Sequence, residues 1–287
     1  DNREQIMDPL FIAIDKVWNL VNARNVREQY QNGPYLYQPL RFNEEVIREA
    51  LLNAIAHRDY SINSEILIKQ FPHKIRVSNP GGLPKGVTLE NIIKVNSTPR
   101  NRLLSEILEK TGLVERSGQG VDKMYRLSIV EGKEAPDYSD SDPYQVAVIL
   151  NGNIKDFAFT QFLSETDQSL NSVELLSVFD IINLSYVRDH ENIETISEEE
   201  AEKLISKNAI RRDQNNLLLS HRYTEIKESI EGSNEEKILD YLRTHSNVKM
   251  KEFLILFDNR LTRRQVNNMV YKLAEKNLII KRGKANI

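Results

Sequence analysis

The sequence predicts an α+β fold, an α/β sandwich followed by smaller helical modules. Three observations carry this prediction. Residues 44–60 have the apolar period of a buried helix, and short strand patterns bounded by turn signals follow them. Residues from 234 to the end have a different pattern, three short amphipathic helices followed by a basic turn. The chain therefore divides into a mixed layer and helical modules.

The segment 44–60 predicts the helix around which the first part of the chain is organised. On a helix, its apolar side chains share one broad stripe, formed by Val46, Ile47, Ala50, Leu51, Ala54 and Ile55. Glu49, Asn53 and His57 recur at a spacing of four, so they align along one edge of that stripe. A carboxylate, an amide and an imidazole beside the core predict the wall of a binding site.

Composition limits the class of protein. Charged residues make up 28% of the chain and apolar residues 40%, as in folded globular proteins. The absence of cysteine excludes disulfides and thiolate metal sites, and it fits a reducing, cytoplasmic location. No apolar run of about 18 residues occurs, so no membrane helix is expected. Because the chain opens with Asp1, we expect that residues 1–43 are a helix and an extended connector following a missing upstream domain.

Charge is segregated along the chain. Residues 151–233 carry 8 basic and 16 acidic side chains, whereas residues 234–287 carry 12 basic and 6 acidic ones. A basic module beside an acidic neighbour predicts a polyanionic partner for that module. A solvated basic face is the simpler alternative, so charge by itself does not decide between them.

Two glycine loops follow the 44–60 helix. Asn79-Pro80-Gly81-Gly82 ends a predicted strand, and Ser117-Gly118-Gln119-Gly120 precedes a predicted helix over 121–129. Glycine lets the backbone approach a ligand closely, and the free N–H groups at a helix N-terminus bind phosphate. Plain turns or helix caps are the alternative for each loop taken alone. Their order after the helix is the more specific observation.

The order Glu49-x-x-x-Asn53-Ala54, Asn79-Pro80-Gly81-Gly82 and Gly118-x-Gly120 resembles the GHKL, or Bergerat-type, nucleotide fold of gyrase, histidine kinases and MutL. More closely, REALLNAIAHRDY, SNPGGLP and ERSGQGVDKM are similar to the C-terminal region of a prokaryotic family labelled transcriptional regulator or RecG-related ATP-dependent DNA helicase. In that family the region follows an AlbA/Schlafen-like domain. The resemblance is strongest over residues 1–150 and implies a GHKL-like domain at 44–150.

The resemblance implies ATP and Mg²⁺ as cofactors. Asn53 matches the Mg²⁺ ligand, and Glu49 matches the general base that activates water. The predicted nucleotide-binding residues are Asn53, His57, Asn79, Gly81, Gly82, Gly118 and Gly120. Asn79 departs from the family pattern, because it stands where the superfamily has an aspartate that reads adenine. An amide accepts that hydrogen bond more weakly than a carboxylate.

Two readings of this region remain open. One is a functional nucleotide site, and the other is a nucleotide fold that no longer binds its nucleotide. The sequence has no G-x-x-x-x-G-K-[ST] loop, so these residues do not support a helicase motor.

Residues 151–233 predict an acidic helical domain, related to a degenerate winged helix. A helix is expected over 172–190, and Ser197 with Glu200 forms a capping box for the next helix. Leu217–Leu219 and Tyr223 predict a short hairpin, and residues 229–234 predict a linker. The acidity of the domain argues against DNA contact and favours packing or dimerisation, so a homo-oligomer is one expectation.

Residues 234–287 predict a winged helix-turn-helix that binds double-stranded DNA. The third helix follows the capping box of Thr262 and Gln265, with Val266, Met269, Val270 and Leu273 facing inward. The predicted DNA contacts of this helix and of the basic wing are Arg263, Arg264, Asn267, Asn268, Tyr271, Lys281, Arg282 and Lys284. The alternative is a winged helix used for protein contacts.

Three functions follow from these patterns. The first is a DNA-binding transcriptional regulator whose nucleotide-like domain senses a ligand such as ATP. The second is a weak Mg²⁺-dependent ATPase that acts with DNA. The third is a non-enzymatic assembly protein that uses both folds as interfaces.

Overall fold

The computed structural model describes residues 3–28, 30–32, 35–95, 99–113, 120–170, 175–190, 196–214, 216–245, 247–257 and 261–280. The chain forms two compact units. Unit 1 contains Asp1–Tyr30 and Leu36–Ser220, and unit 2 contains Gln31–Tyr35 and His221–Ile287.

The described elements up to Ser220 mix helices with short strands. The helices are α1 (Leu10–Asn22), α2 (Glu44–His57), α3 (Arg102–Lys110), α4 (Gly120–Val130), α5 (Phe157–Ser169), α6 (Val178–Asp189) and α7 (Glu198–Ser206). The strands are β1 (Tyr30–Asn32), β2 (Tyr35–Tyr37), β3 (Leu67–Gln70), β4 (Lys74–Pro80), β5 (Gln145–Asn151), β6 (Ile210–Asp213) and β7 (Asn216–Leu219). The α+β class predicted from the sequence is confirmed.

A three-stranded antiparallel sheet with the order β3-β4-β5 carries the core of unit 1. In its central strand β4, Ile75, Val77 and Asn79 alternate with Arg76 and Ser78. Side chains at this spacing share one face of a sheet. Ile75 and Val77 join the apolar cluster that α2 and α4 build, so Asn79 lies on the same, helix-facing side.

Helix α2 is buried on both sides. Its residues Val46, Ile47, Ala50 and Ala54 pack in the cluster with Met124 of α4 and with the sheet. The residues Leu51, Leu52 and Ile55 pack in a second cluster with Ile14 of α1 and Leu108 of α3. Burying two faces fixes the rotation of the helix about its own axis, so the polar side chains on its remaining face have a defined direction.

Asn43 determines where α2 begins. Its side-chain oxygen accepts hydrogen bonds from the backbone N–H groups of Glu45, at 2.8 Å, and Val46, at 3.3 Å. Glu44 and Glu45 in the first turn also interact favourably with the positive end of the helix dipole. The helix predicted from the 44–60 pattern is therefore confirmed over Glu44–His57.

The region after β5 differs from the sequence prediction in three places. A helix, α5, forms over Phe157–Ser169, where no element was predicted. Helix α6 begins at Val178, after a Ser177 cap, and not near residue 172. The hairpin pairs β6 with β7, while Tyr223, predicted in that hairpin, lies in a helix. The Ser197–Glu200 capping box is confirmed at the start of α7.

The described helices after Ser220 form a separate apolar cluster. They are α8 (His221–Thr244), α9 (Met250–Leu256) and α10 (Arg263–Glu275). Their buried side chains are Ile238, Phe253, Phe257, Val266, Met269, Val270 and Leu273. These include every residue predicted for the inner face of the third helix, and the Thr262–Gln265 capping box is also present.

The predicted linker at 229–234 is wrong, because α8 continues through it from His221 to Thr244. Glycine lowers helix propensity without preventing a helix whose other residues favour it, and tertiary packing of the later turns holds α8 together. The predicted domain boundary at 233/234 therefore falls inside a helix. Leu278–Ile280, which precede the predicted wing residues, are not in a strand.

Candidate functional site

The polar row of α2, formed by Glu49, Asn53 and His57, is one edge of the candidate site. Glu49 is 4% exposed, and Asn53 and His57 are half-buried. The Nδ2 atom of Asn53 and the Nδ1 atom of His57 are buried and have no hydrogen-bond partner among the described residues. Buried polar atoms without partners are uncommon in proteins and are costly, so these two atoms mark a position where a polar ligand would be stabilising.

Gly120, the first residue of α4, brings the N-terminus of that helix against the row. A Cβ atom built on Gly120 would lie 2.6 Å from Oε2 of Glu49 and 3.6 Å from Nδ2 of Asn53. The absence of a side chain therefore permits this approach. The structure thus brings together three residues that the sequence predicted for one site, Glu49, Asn53 and Gly120.

The Gly81–Gly82 turn forms the opposite end of the candidate site. Gly81 has φ +92°, a conformation that residues with a side chain rarely adopt. Its N–H donates to the carbonyl of Tyr144 at 2.7 Å. A Cβ on Gly82 would lie 2.6 Å from the carbonyl oxygen of Pro143. Asn79, one strand residue before Pro80, is 5% exposed, and its Nδ2 donates to the Pro80 carbonyl at 3.4 Å.

Arg100 and Asn101 connect this turn to the C-terminal end of α2. Nδ2 of Asn101 donates to the carbonyls of Ala56, at 3.0 Å, and Arg58, at 2.7 Å, which are acceptors that a helix end leaves unpaired. Nη1 of Arg100 lies 3.0 Å from Oδ2 of Asp59, just beyond the helix. Nη2 of Arg100 donates to the carbonyl of Gly82 at 3.0 Å.

Burial and a nearby cation favour a neutral imidazole at this end of α2. Burial, and secondly the nearby Arg100 guanidinium, hold the pKa of His57 below its ordinary value of 6.5. Hydrogen bonds from the Ser61 side chain and backbone, together with Arg100, hold the pKa of Asp59 below its ordinary value. At neutral pH, His57 is therefore uncharged and Asp59 is ionised.

The residues fit a nucleotide better than a metal held by protein alone. Among the described residues, no group of three or more His, Asp or Glu side chains could hold a metal ion. A Mg²⁺ ion usually takes one or two protein oxygens and completes its octahedron with phosphate and water oxygens. In such a site Asn53 would contribute its Oδ1 atom to the metal, whereas its unpartnered Nδ2 atom, beside the Gly120 helix end, would donate a hydrogen bond to the ligand.

A second candidate surface lies on α10. Arg263, Arg264, Asn268 and Tyr271 are exposed and Asn267 is half-buried, whereas the opposite face of the helix is in the apolar cluster. The predicted DNA-contact residues of α10 therefore share its solvent-facing side. Lys281, Arg282 and Lys284, predicted for the wing, and Gly118, predicted for the phosphate loop, lie outside the described residues.

The sequence interpretation missed Asp59, Arg100 and Asn101 as parts of the site. Asp59 lies two residues beyond the end of α2, outside the four-residue spacing of Glu49, Asn53 and His57, so that spacing did not indicate it. Arg100 lies 41 positions further along the chain. No periodic pattern connects residues at that separation, so their contact follows only from the tertiary structure.

Residues 63–150 match a family model. It is described as "Putative ATP-dependent DNA helicase recG C-terminal". The match indicates an ATPase-like domain related to RecG over β3, β4, α3, α4 and β5. It includes Asn79, Gly81, Gly82 and Gly120, but it does not extend to α2 and its residues Glu49, Asn53 and His57.

A solved structure supports the fold. The chain is similar to the crystal structure of the DIP2311 protein from Corynebacterium diphtheriae, with 21% identity and a TM-score of 0.62. The alignment covers 78% of this chain and 50% of that protein, so the chain spans about half the length of this relative. No curated protein matches the chain. Among the described helices, none is long and apolar enough to cross a membrane.

Proposed function

We propose that this protein is a ligand-responsive DNA-binding regulator. In this proposal a GHKL-like site along α2 binds ATP or a related nucleotide, and a winged helix-turn-helix built on α8–α10 binds double-stranded DNA. The observation that carries the proposal is the charge arrangement of α10, whose first turn exposes arginines that form no ion pair with the described residues.

The cations of α10 differ from one end of the helix to the other. Lys272 pairs with Glu231 and Lys276 pairs with Glu235, each at 2.8 Å, so the last turns are neutralised by α8. Arg263 and Arg264 form no ion pair with any described residue. Cations at a helix N-terminus oppose the helix dipole and are locally unfavourable. Departures from local preference are common at functional sites, and a phosphate backbone would neutralise this charge.

The DNA proposal is tested by fluorescence anisotropy with duplexes of several sequences over a range of salt concentrations. Arg264→Ala with Asn268→Ala should relax the preference for one duplex, by about 1–3 kcal/mol at the contacted position. Lys281→Ala with Arg282→Ala should weaken all duplexes alike and reduce the salt slope by about one for each phosphate contact removed. Lys272→Ala, which removes a paired cation, is the matched control. Unchanged binding in both double variants would rule out this module as the DNA-binding element.

The nucleotide part rests on Nδ2 of Asn53, which lies beside Gly120, and on Nδ1 of His57, neither of which has a hydrogen-bond partner among the described residues. A thermal-shift titration with ATP and Mg²⁺ should raise the melting temperature of the wild-type chain but not that of Asn53→Ala. A ligand that controls DNA binding must also change DNA affinity, typically by a coupling free energy of about 1–3 kcal/mol. No shift at millimolar ATP would favour a nucleotide fold that no longer binds its nucleotide.

A Mg²⁺-dependent ATPase is the second candidate, and the position of Glu49 favours it. This carboxylate is buried next to the N-terminus of α4 and to Asn53, where a general base for an attacking water would stand. The family-model description is also that of an ATP-dependent protein. Steady-state hydrolysis by the wild type that disappears in Glu49→Ala would support the enzyme. Equal rates in both would argue against Glu49 as the base.

A further inference from the structure

Three contacts connect the Gly81–Gly82 turn with the C-terminal end of α2. The Asp59 N–H donates to the Pro80 carbonyl at 2.8 Å, and Asp59 pairs with Arg100 at 3.0 Å. Arg100 also donates to the Gly82 carbonyl at 3.0 Å. One guanidinium therefore bonds both to the segment just after the helix and to the turn.

The Arg100 side chain lies directly over Gly81. A Cβ on Gly81 would be 2.1 Å from Nη1 of Arg100 and 2.8 Å from Cβ of Asp59. The backbone of the turn and the guanidinium can be this close only because residue 81 is glycine. Arg100 and Asp59 are each about one third exposed, with side-chain values of 30% and 31%, so the pair lies at the surface of the site and not in the core.

Asn101 holds the backbone next to Arg100 against the end of α2. Its backbone N–H donates to the Ala56 carbonyl at 3.2 Å, and its amide holds the carbonyls of Ala56 and Arg58. Arg100 is therefore anchored to the end of α2 by its neighbour while it reaches across to the turn. An arginine fork held in this way loses less conformational entropy on making its bonds than a free side chain would.

From this geometry we propose that Arg100 is a positioning residue of the candidate nucleotide site. Through Asp59 and the Gly82 carbonyl it sets the separation between the Gly81–Gly82 turn and the end of α2. This inference rests on the proposed function, because it concerns the same site. Binding is tighter when the two sides of a site are held in place before the ligand arrives, since less ordering remains to be done on binding.

The experiment compares four variants of the full chain by calorimetric titration with ATP and Mg²⁺. Arg100→Gln should weaken ATP binding about 10- to 100-fold, as expected for the loss of charge-assisted hydrogen bonds. Arg100→Lys, which keeps the charge but not the fork, should recover part of that loss. Asp59→Asn should weaken binding as well. The matched control is Arg102→Gln, because the Arg102 side chain is 89% exposed and pairs with Glu106 inside α3.

A double-variant cycle separates a shared contact from two independent effects. If Arg100 and Asp59 act through one contact, Arg100→Gln with Asp59→Asn should bind ATP no more weakly than the worse single variant. Fully additive losses would overturn the proposal. Urea unfolding of each variant without ligand supplies the second readout, since a merely structural arginine would lower stability and leave ATP affinity unchanged.

A nuclear magnetic resonance titration of His57 gives a readout that needs no ligand. Because Arg100 contributes to the lowered pKa of His57, Arg100→Gln should raise that pKa, and Arg102→Gln should not. An unchanged pKa in Arg100→Gln would show that the guanidinium does not lie near the end of α2 and would overturn the inferred position of Arg100. If the wild-type chain binds no nucleotide, the proposed function and this inference both fall. If the wild type and Arg100→Gln bind ATP equally, only the inference falls.

Discussion

The α2 site and the α10 surface use polar residues in opposite ways. Along α2, Glu49 is buried and Asn53 and His57 are half-buried, and the first two lie beside Gly120. Along α10, Arg263 and Arg264 are in solvent on a helix whose other face supplies the core. In the first arrangement, a substitution that affects ligand binding should also change the free energy of unfolding, because the polar group is buried. On the α10 surface, a substitution can change binding and leave the free energy of unfolding nearly unchanged, because exposed side chains contribute little to stability.

This contrast predicts the largest loss of stability at the Gly81 turn. Gly81→Ala should lower the free energy of unfolding by about 1–3 kcal/mol from the positive φ, with a further loss from the contact with Arg100. Gly86→Ala is the matched control, because Gly86 has a similar φ of +87° but no neighbouring atom within 4 Å. Urea unfolding at pH 7 measures both. Equal losses in the two variants would show that the Arg100 contact has no energetic consequence.

A gain in stability is expected within α8. Gly232 lies in this helix, and a Cβ there would meet no atom within 4 Å. Gly232→Ala should therefore stabilise unit 2 by about 0.5–1 kcal/mol, the usual difference between the two residues inside a helix. The measurement is urea unfolding of the full chain, followed by circular dichroism. No gain, or a loss, would contradict the expectation that Gly232 lowers the stability of α8.

A smaller effect is expected from pH at the α2 site. The pKa of His57 is lower in the folded protein than in the unfolded chain, so the unfolded chain binds more protons just below pH 6.5. Stability should fall as the pH decreases from about 6.5 through the folded pKa of His57. Unfolding curves of wild type and His57→Gln at several pH values check this. The same pH dependence in both proteins would assign it to other groups.

The smallest effect on stability is expected at the start of α10. Arg263→Gln and Arg264→Gln should change the free energy of unfolding by no more than about 0.5 kcal/mol, and relief of the unfavourable helix-dipole interaction makes a slight gain the expected sign. The same variants should bind DNA more weakly at low salt. A large loss of stability, measured by urea unfolding, would mean that these arginines hold the fold and would weaken the contrast between the two regions.

Much of the fold was predictable because it depends on local periodicity. The apolar period of residues 44–60 predicted α2, and the Thr262–Gln265 capping box predicted the start of α10. Elements with weaker local signals were missed or misplaced. Helix α5 was not predicted, and residues 229–234 of α8 were predicted as a linker because glycine weighs more in a local pattern than in a packed helix.

The sequence by itself determined the spacing of Glu49, Asn53 and His57, since a helix aligns residues four apart wherever it lies. It also indicated close backbone approach at Gly81, Gly82 and Gly120, but not the approach of Arg41 to Gly152. Only the tertiary structure decided which side chains approach these glycines. The Glu49 side chain lies at Gly120, and the Arg100 and Asp59 side chains lie at Gly81. These contacts join residues far apart in the chain, and they arise because two apolar clusters fix the rotation of α2 between α4 and α1. The physical reason is that local pattern sets the direction of a side chain within its element, while packing between elements sets what it meets.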